Sequence, residues 1–205
     1  MAIKFQYNKT SLQLLNKQLN VRVRALPILK NKESALRAEV KRAKDIAEKL
    51  DRELDKLYKK YSEGVRLWGE FDDTLLRVDE IKVDKRKIAG IKIPEYNDVL
   101  FKTEPFVLFN NPKWFADGIR ILKELTEMRV KRDIYIEKME LLDHARKKTT
   151  QKVNLYEKVQ IPAYEEAIRK IKRFLEDEEN LNKSAQKIVK NRQAAAAALT
   201  EEGTA

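Results

Sequence analysis

LRAEVKRAKDIAEKLDRELDKL, residues 36–57, places Leu36, Val40, Ala43, Ala47, Leu50, Leu54 and Leu57 at alternating steps of four and three. On an α-helix that spacing draws one narrow apolar stripe and leaves charged side chains around the rest of the circumference. The stripe extends both ways, through Leu12, Leu15, Leu19, Val23, Leu26 and Leu29 before it and Tyr61, Trp68, Phe71 and Leu75 after it. Such a stripe cannot wrap a broad globular core. It requires a second long helix laid along it, and the second half of the chain supplies one. That stripe is Leu122, Leu125, Met128, Tyr135, Met139, Leu142, Thr149, Val153, Tyr156, Ala163, Ile168, Ile171, Leu175 and Ala185. The reading is an all-α protein, a long antiparallel two-helix coiled-coil hairpin.

The segment between the helices changes character. Ile81, Val83, Ile88, Ile91, Ile93, Val99 and Phe101 are interleaved with Gly90, Pro94, Asn97 and Asp98, which predicts a small β-hairpin or irregular head. The expected division is an N-terminal long helix over 8–78, a head over 79–111, a C-terminal long helix over 112–192 and a flexible tail over 193–205. Thr10 and Ser11 are placed to cap the first helix, and Asn111–Pro112 to start the second. Pro27 and Pro162 interrupt the two helices. If Leu75 faces Ile119, facing residues share a constant sum that puts Pro27 opposite Ala167, about a turn from Pro162.

Charge and composition narrow the function. The chain has 205 residues, 38% of them charged, no cysteine and a net charge of +11. Without cysteine there is no disulfide framework, thiolate nucleophile or sulfur ligand for zinc. No apolar run approaches the ~20 residues needed to span a bilayer. Lys4, Lys9, Lys17, Arg22, Arg24, Lys30 and Lys32 precede the first acidic residue, Glu33, so the N-terminal end presents seven cations to an anionic or carbonyl-lined surface. Catalytic chemistry finds no support. Gly64 and Gly69 have phosphate-loop spacing, but Glu70 and Phe71 stand where lysine and a hydroxyl are needed. His144, the only histidine, has no nucleophile around it, and Glu176, Asp177, Glu178 and Glu179 read as a solvated face. Catalytic, cofactor and metal sites are therefore all expected to be absent.

Three local patterns resemble one family, the D subunit of V-type and archaeal/bacterial A-type rotary ATPases. Leu29-Lys30-Asn31-Lys32 followed by Leu36 is similar to its Leu-Lys-x-Lys stretch. Ile88-Ala89-Gly90-Ile91-Lys92-Ile93-Pro94 resembles the Val-Ala-Gly-Val-x-x-Pro of its head. Val153-Asn154 with Ile161-Pro162 resembles its Val-Asn and Ile-Pro pair at matching separation, the most specific of the three. The resemblance covers roughly residues 8 to 190. It implies a central rotor shaft whose two ends sit inside a ring of catalytic and nucleotide-binding subunits, the A and B subunits. It further implies a mid-section that binds the small F subunit and a head seated on the membrane-side socket subunit of the rotor. The shaft would be cytoplasmic and peripheral to the membrane, in a motor that moves protons or sodium, with no nucleic-acid partner and no direct lipid insertion. On this reading Lys9, Lys17, Arg22, Arg24, Lys30 and Lys32, with Lys187, Lys190 and Arg192, form the bearing surface. Ile88, Gly90, Ile91 and Pro94 then form a head hairpin that tunes the rotor. The competing reading is a generic basic coiled-coil scaffold for acidic or nucleic-acid partners. Against the nucleic-acid form of it, the basic end lacks the aromatic interleaving expected of single-strand binding.

Overall fold

The computed structural model describes residues 3–62, 68–105 and 112–202, with the side chains of Asp73 and 195–202 left out. Gly64 and Asn111 lie outside the described residues. The elements are α1 (Lys9–Tyr61), a 3-10 turn (Asp73–Leu75), β1 (Leu76–Ile88), β2 (Ile91–Thr103), α2 (Phe115–Asn154), a π-helical segment (Leu155–Gln160) and α3 (Ile161–Glu202). The protein is mainly helical, a long helix hairpin with one small two-stranded antiparallel sheet between its arms. Two compact units divide it. One contains the chain up to Lys30 and from Gln151 onward; the other is Asn31–Thr150.

In the first unit, Asn8 caps α1: its Oδ1 accepts the Ser11 N–H at 2.7 Å. The cap thus falls two residues before the Thr10–Ser11 expected from sequence, because the amide side chain reaches the free N–H of the first turn. Leu15, Tyr164, Ala167, Ile168 and Ile171 form the core, with Ile3, Phe5, Leu12, Leu19 and Leu175 packed around it. Pairs 22/160 and 18/164, joined by side-chain hydrogen bonds, give facing numbers a sum of 182. Pro27 therefore faces the π segment around Tyr156, not Ala167. That segment is the local answer to Pro162. A proline ring crowds the carbonyl four residues back, here Lys158, so the helix widens, and the Ile161 N–H donates to the Tyr156 carbonyl instead. α1 runs through Pro27 without ending. No side chain is buried between Leu15 and Leu36 on α1, or between Thr149 and Tyr164 on the other arm of the pair. At this level polar links replace apolar packing.

In the second unit, Leu36, Ala43, Ala47 and Leu54 of α1 and Phe115, Ile119, Ile134 and Leu142 of α2 are buried. Glu33 meets Thr150 at 3.3 Å and Asp51 meets Arg132 at 3.1 Å, a facing sum of 183. The expected sum was eleven higher because it assumed a helix as far as Leu75. α1 instead ends at Tyr61, and Leu75 closes a 3-10 turn whose N–H groups are held by Asp72: Thr74 donates both its backbone N–H (2.9 Å) and its hydroxyl (2.7 Å) to Asp72 Oδ1. Trp68, Phe71, Trp114 and Phe115 pack ring against ring, 4.9–5.8 Å between centroids. The second long helix also passes its expected end, continuing ten residues beyond Arg192 to Glu202.

β1 and β2 pair antiparallel over thirteen residues each, with register shifts between Val78 and Glu80 and between Lys82 and Val83. The two-residue turn is Ala89 (φ 50°) and Gly90 (φ 83°), the left-handed pair that matches strand twist in a tight hairpin. Gly90 suits it. Ala89 carries a Cβ in a region costing roughly 1 kcal/mol or more for an L residue. Ala89→Asn is therefore expected to stabilise the hairpin by about 0.5–1 kcal/mol, read as a higher thermal midpoint by circular dichroism. No change or a loss would show that the turn is not the left-handed one.

Candidate partner-binding surfaces

The hairpin turns the apolar residues around its tip onto the helices. Ile93 joins Leu36 and Leu142 in one buried cluster, and Ile88, Ile91, Val40 and Ala145 pack against it. One strand residue thus locks between the two helices. A polar latch sits further along β2: the Tyr96 hydroxyl donates to Glu127 Oε1 (3.1 Å), which also accepts from Lys131 Nζ (2.6 Å). The Lys131 ammonium lies 4.7 Å from the Tyr96 ring centroid. Pro94, half-buried, is tolerated because a two-stranded sheet leaves each strand one unpaired edge. Gly90 is exposed at the tip, and the outer strand β1 exposes Val78, Ile81 and Val83 among charged neighbours. Its two register shifts and its basic residues Lys82, Lys85, Arg86 and Lys87 discourage the addition of a further strand.

The latch has a pH signature. Lys131, then Tyr96, hold the Glu127 carboxyl below its ordinary value against the opposing effect of burial. Burial and the Glu127 carboxylate push the Tyr96 phenol up to about 12. A lowered carboxyl pKa stabilises above the unfolded value and loses that contribution as pH falls through the folded one. A raised phenol pKa stabilises below ~10 and loses it as pH rises toward about 12. Ultraviolet titration should accordingly show one tyrosine ionising near pH 12 whose signal disappears in Tyr96→Phe. If the missing signal titrates near pH 10, the latch does not form.

The basic residues fall into two groups. Arg22 turns inward: its Nε donates to Gln160 (2.7 Å), its Nη1 donates to the Gln18 carbonyl (2.9 Å), and its guanidinium lies 4.4 Å from the Tyr164 centroid. Lys30 pairs with Glu157 at 2.6 Å. Lys9, Lys17, Arg24, Lys32, Lys187, Lys190 and Arg192 are exposed. Val23, expected in the seam, is 47% exposed because Arg22 takes the inward place beside Tyr164. Ala185 is exposed too, in a stretch of α3 from Glu176 to Ala194 where every side chain is exposed. Leu181, Ile188 and Val189 stand bare there beside Lys187, Lys190 and Arg192. The acidic run behaves as a solvated face: Glu179 pairs with Lys183 at 2.8 Å, and Glu176, Asp177 and Glu178 are exposed. His144 is exposed on α2. Among the described residues no group of three or more His, Cys, Asp or Glu side chains could hold a metal ion.

A helix pair with a β-hairpin folded onto it has known relatives. The family model for the D subunit of ATP synthase matches residues 11–191. The chain belongs to the ATP synthase D-subunit family. Among curated relatives, the V-type ATP synthase D subunit of Borreliella burgdorferi is 28% identical over 190 residues, covering 92% of this chain and 94% of that protein. Proteins of the same name from Chlamydia pneumoniae (26% over 182 residues; 86% and 87%) and Chlamydia muridarum (27% over 183; 86% and 90%) are similar over nearly the same span. The family match runs through both helices and the hairpin between them. What the sequence reading missed is the latch of Tyr96, Glu127 and Lys131 and the apolar residues left bare outside the seam. The latter had a signal, a seven-residue repeat displaced from the seam positions.

Proposed function

We propose that this family member works as the central-stalk rotor of a V/A-type rotary ATPase. It carries torque between the ring that hydrolyses or synthesises ATP and the membrane rotor that moves protons or sodium, and breaks no bonds itself. The carrying observation is the family match across residues 11–191 on a helix hairpin whose first 32 residues carry seven cations and no acidic side chain. The apolar clusters, with the links from Arg22 to Gln160, Lys30 to Glu157 and Arg132 to Asp51, resist sliding of one helix on the other. A twist applied to the pair is then passed along both.

The working partners are the A and B ring subunits around Lys9, Lys17, Arg24, Lys32, Lys187, Lys190 and Arg192. The F subunit binds the mid-section, and the membrane-side socket subunit seats the head. Arg22 and Lys30 contribute to the bearing end by holding the helices together. The head of residues 79–111, through Ile88, Gly90, Ile91 and Pro94, sets the stiffness of the shaft beneath it. No described helix is long and apolar enough to cross a membrane. Attachment is peripheral, on the cytoplasmic side, through the complex. A shaft end that presents different faces to three interfaces biases each of them differently, and that bias is what couples rotation to nucleotide turnover.

The test is reconstitution from purified ring subunits, the F subunit and this chain. The expected result is a stable complex. Charge reversal at Lys9, Lys17 and Arg24 should lower ATP turnover by roughly tenfold or more and weaken assembly most at low salt, where exposed charges are least screened. Undiminished turnover with reversed charges would remove these residues from the bearing.

A further inference from the structure

α1 turns its seam inward at Leu12, Leu15 and Leu19, of which Leu15 is buried, yet carries a second apolar row on another face. Leu14 is 55%, Val21 60% and Ile28 68% exposed. Seven residues make two helical turns less about 20°, so the three side chains lie almost in line, drifting with the slow left-handed stagger of a coiled-coil seam. Lys17 and Arg24 stand three residues after Leu14 and Val21 and four before Val21 and Ile28, directly beside the row. Both are exposed, and no acidic residue precedes Glu33 to neutralise them locally. One bare aliphatic residue on a surface needs no explanation. Three on a strict repeat, edged by cations on the same repeat, form a patterned face.

We propose that residues 14–28 of α1 form a docking seam for a third helix, contributed by a ring subunit and presenting an apolar row flanked by Asp or Glu. The proposal rests on the rotor reading and names the chemistry of its bearing. Charge selects the occupant. A second copy of this chain would bring Lys17 and Arg24 against their own kind, and a nucleic acid would have no use for Leu14, Val21 and Ile28. The row lies on one face of one helix, so a single ring interface engages it at a time. The contact is therefore angle-dependent, as a shaft that must distinguish three sites requires.

The experiment uses the full chain and purified ring subunits. The wild-type chain should assemble, and the double variant Val21→Asp, Ile28→Asp should bind the ring roughly thirtyfold or more weakly. Circular dichroism should show its helix content unchanged, because neither side chain belongs to the core. In a second arm a photoreactive benzoylphenylalanine replaces Val21 in the assembled complex. Its cross-link should fall on a ring-subunit helix carrying leucines and carboxylates. Wild-type affinity in the double variant overturns the seam while leaving the rotor reading intact; failure of the wild-type chain to assemble overturns both. A cross-link to a second copy, or wild-type binding to phosphatidylcholine–phosphatidylserine vesicles that the double variant loses, also overturns it. Should the double variant unfold, the cross-link decides alone.

Discussion

Leu142→Ala is expected to cost the Asn31–Thr150 unit about 3–5 kcal/mol, the upper part of the range for deleting a buried leucine. Leu142 is fully buried and meets Leu36 from α1 and Ile93 from β2, so its side chain stands where three separate elements converge. A cavity at such a point closes poorly. Each element is anchored elsewhere: β2 by the Tyr96 latch, α1 by Ala43, Ala47 and Leu54, and α2 by Ile134. The residual void therefore adds to the lost transfer energy. The loss should appear as a lower denaturant midpoint by circular dichroism. It should also speed hydrogen exchange at β2 amides around Ile93, because the hairpin loses the packing that holds Ile93 between both helices. Leu142→Met, which keeps the volume, should cost under ~1.5 kcal/mol. A deficit below ~1 kcal/mol for Leu142→Ala would mean that the hairpin follows α2 inward and that the cluster is not a three-way junction.

The seam was legible because it rests on spacing alone. Leu15, Leu36, Ala43, Ala47 and Leu54 are buried where steps of three and four put them. Spacing failed where contact chemistry overrode hydropathy. Val23 is the apolar residue at its level, but the Arg22 side chain covers Tyr164 and finds acceptors in Gln160 and the Gln18 carbonyl, so it displaces valine from the interface. Gln160 lies 138 residues away, and no local pattern announces it. Leu75 misled in the opposite sense. It continues the helical spacing numerically, yet Asp72 and Thr74 turn the chain before it, and the strand begins at Leu76. The hairpin was visible as alternating isoleucines around Gly90. Its docking onto the helices was not, since alternation shows that one face is apolar without saying what covers it. Among the bearing candidates, sequence shows charge but not engagement. Lys17 and Lys30 look alike in the chain and are both exposed, and only the fold shows that the second meets Glu157.

Ile171→Asp should unfold the unit built from the two chain ends at neutral pH and leave the other unit folded. Ile171 is fully buried among Leu15, Tyr164, Ala167 and Ile168, none of which offers a charge to a carboxylate. An aspartate there loses the burial energy of isoleucine, about 2–3 kcal/mol, and must also pass from water into an apolar site. Desolvation raises its folded pKa above the unfolded ~3.9, so between the two values the folded state binds the extra proton. Stability then falls as pH rises, by about 1.4 kcal/mol per unit, until the folded carboxyl ionises. With a rise of ~3 units the added penalty at pH 7 is about 4 kcal/mol, and it vanishes toward pH 4. Ile171→Asn is the comparison: similar in shape to aspartate, equally polar, and without the titration. The expected result is rapid hydrogen exchange over residues 9–30 and 161–175 at pH 7, slowed at pH 4 for the aspartate variant more than for the asparagine one. Both tryptophans, Trp68 and Trp114, lie in the other unit, so fluorescence should stay native throughout. Matching pH dependence in the two variants would show that the carboxyl reaches water and that Ile171 does not sit in a sealed core. The same variant bears on the motor, because Lys9, Lys17 and Arg24 are held in place by this packing. With their scaffold melted, binding to the ring should be lost at pH 7 even though every one of those cations is still present.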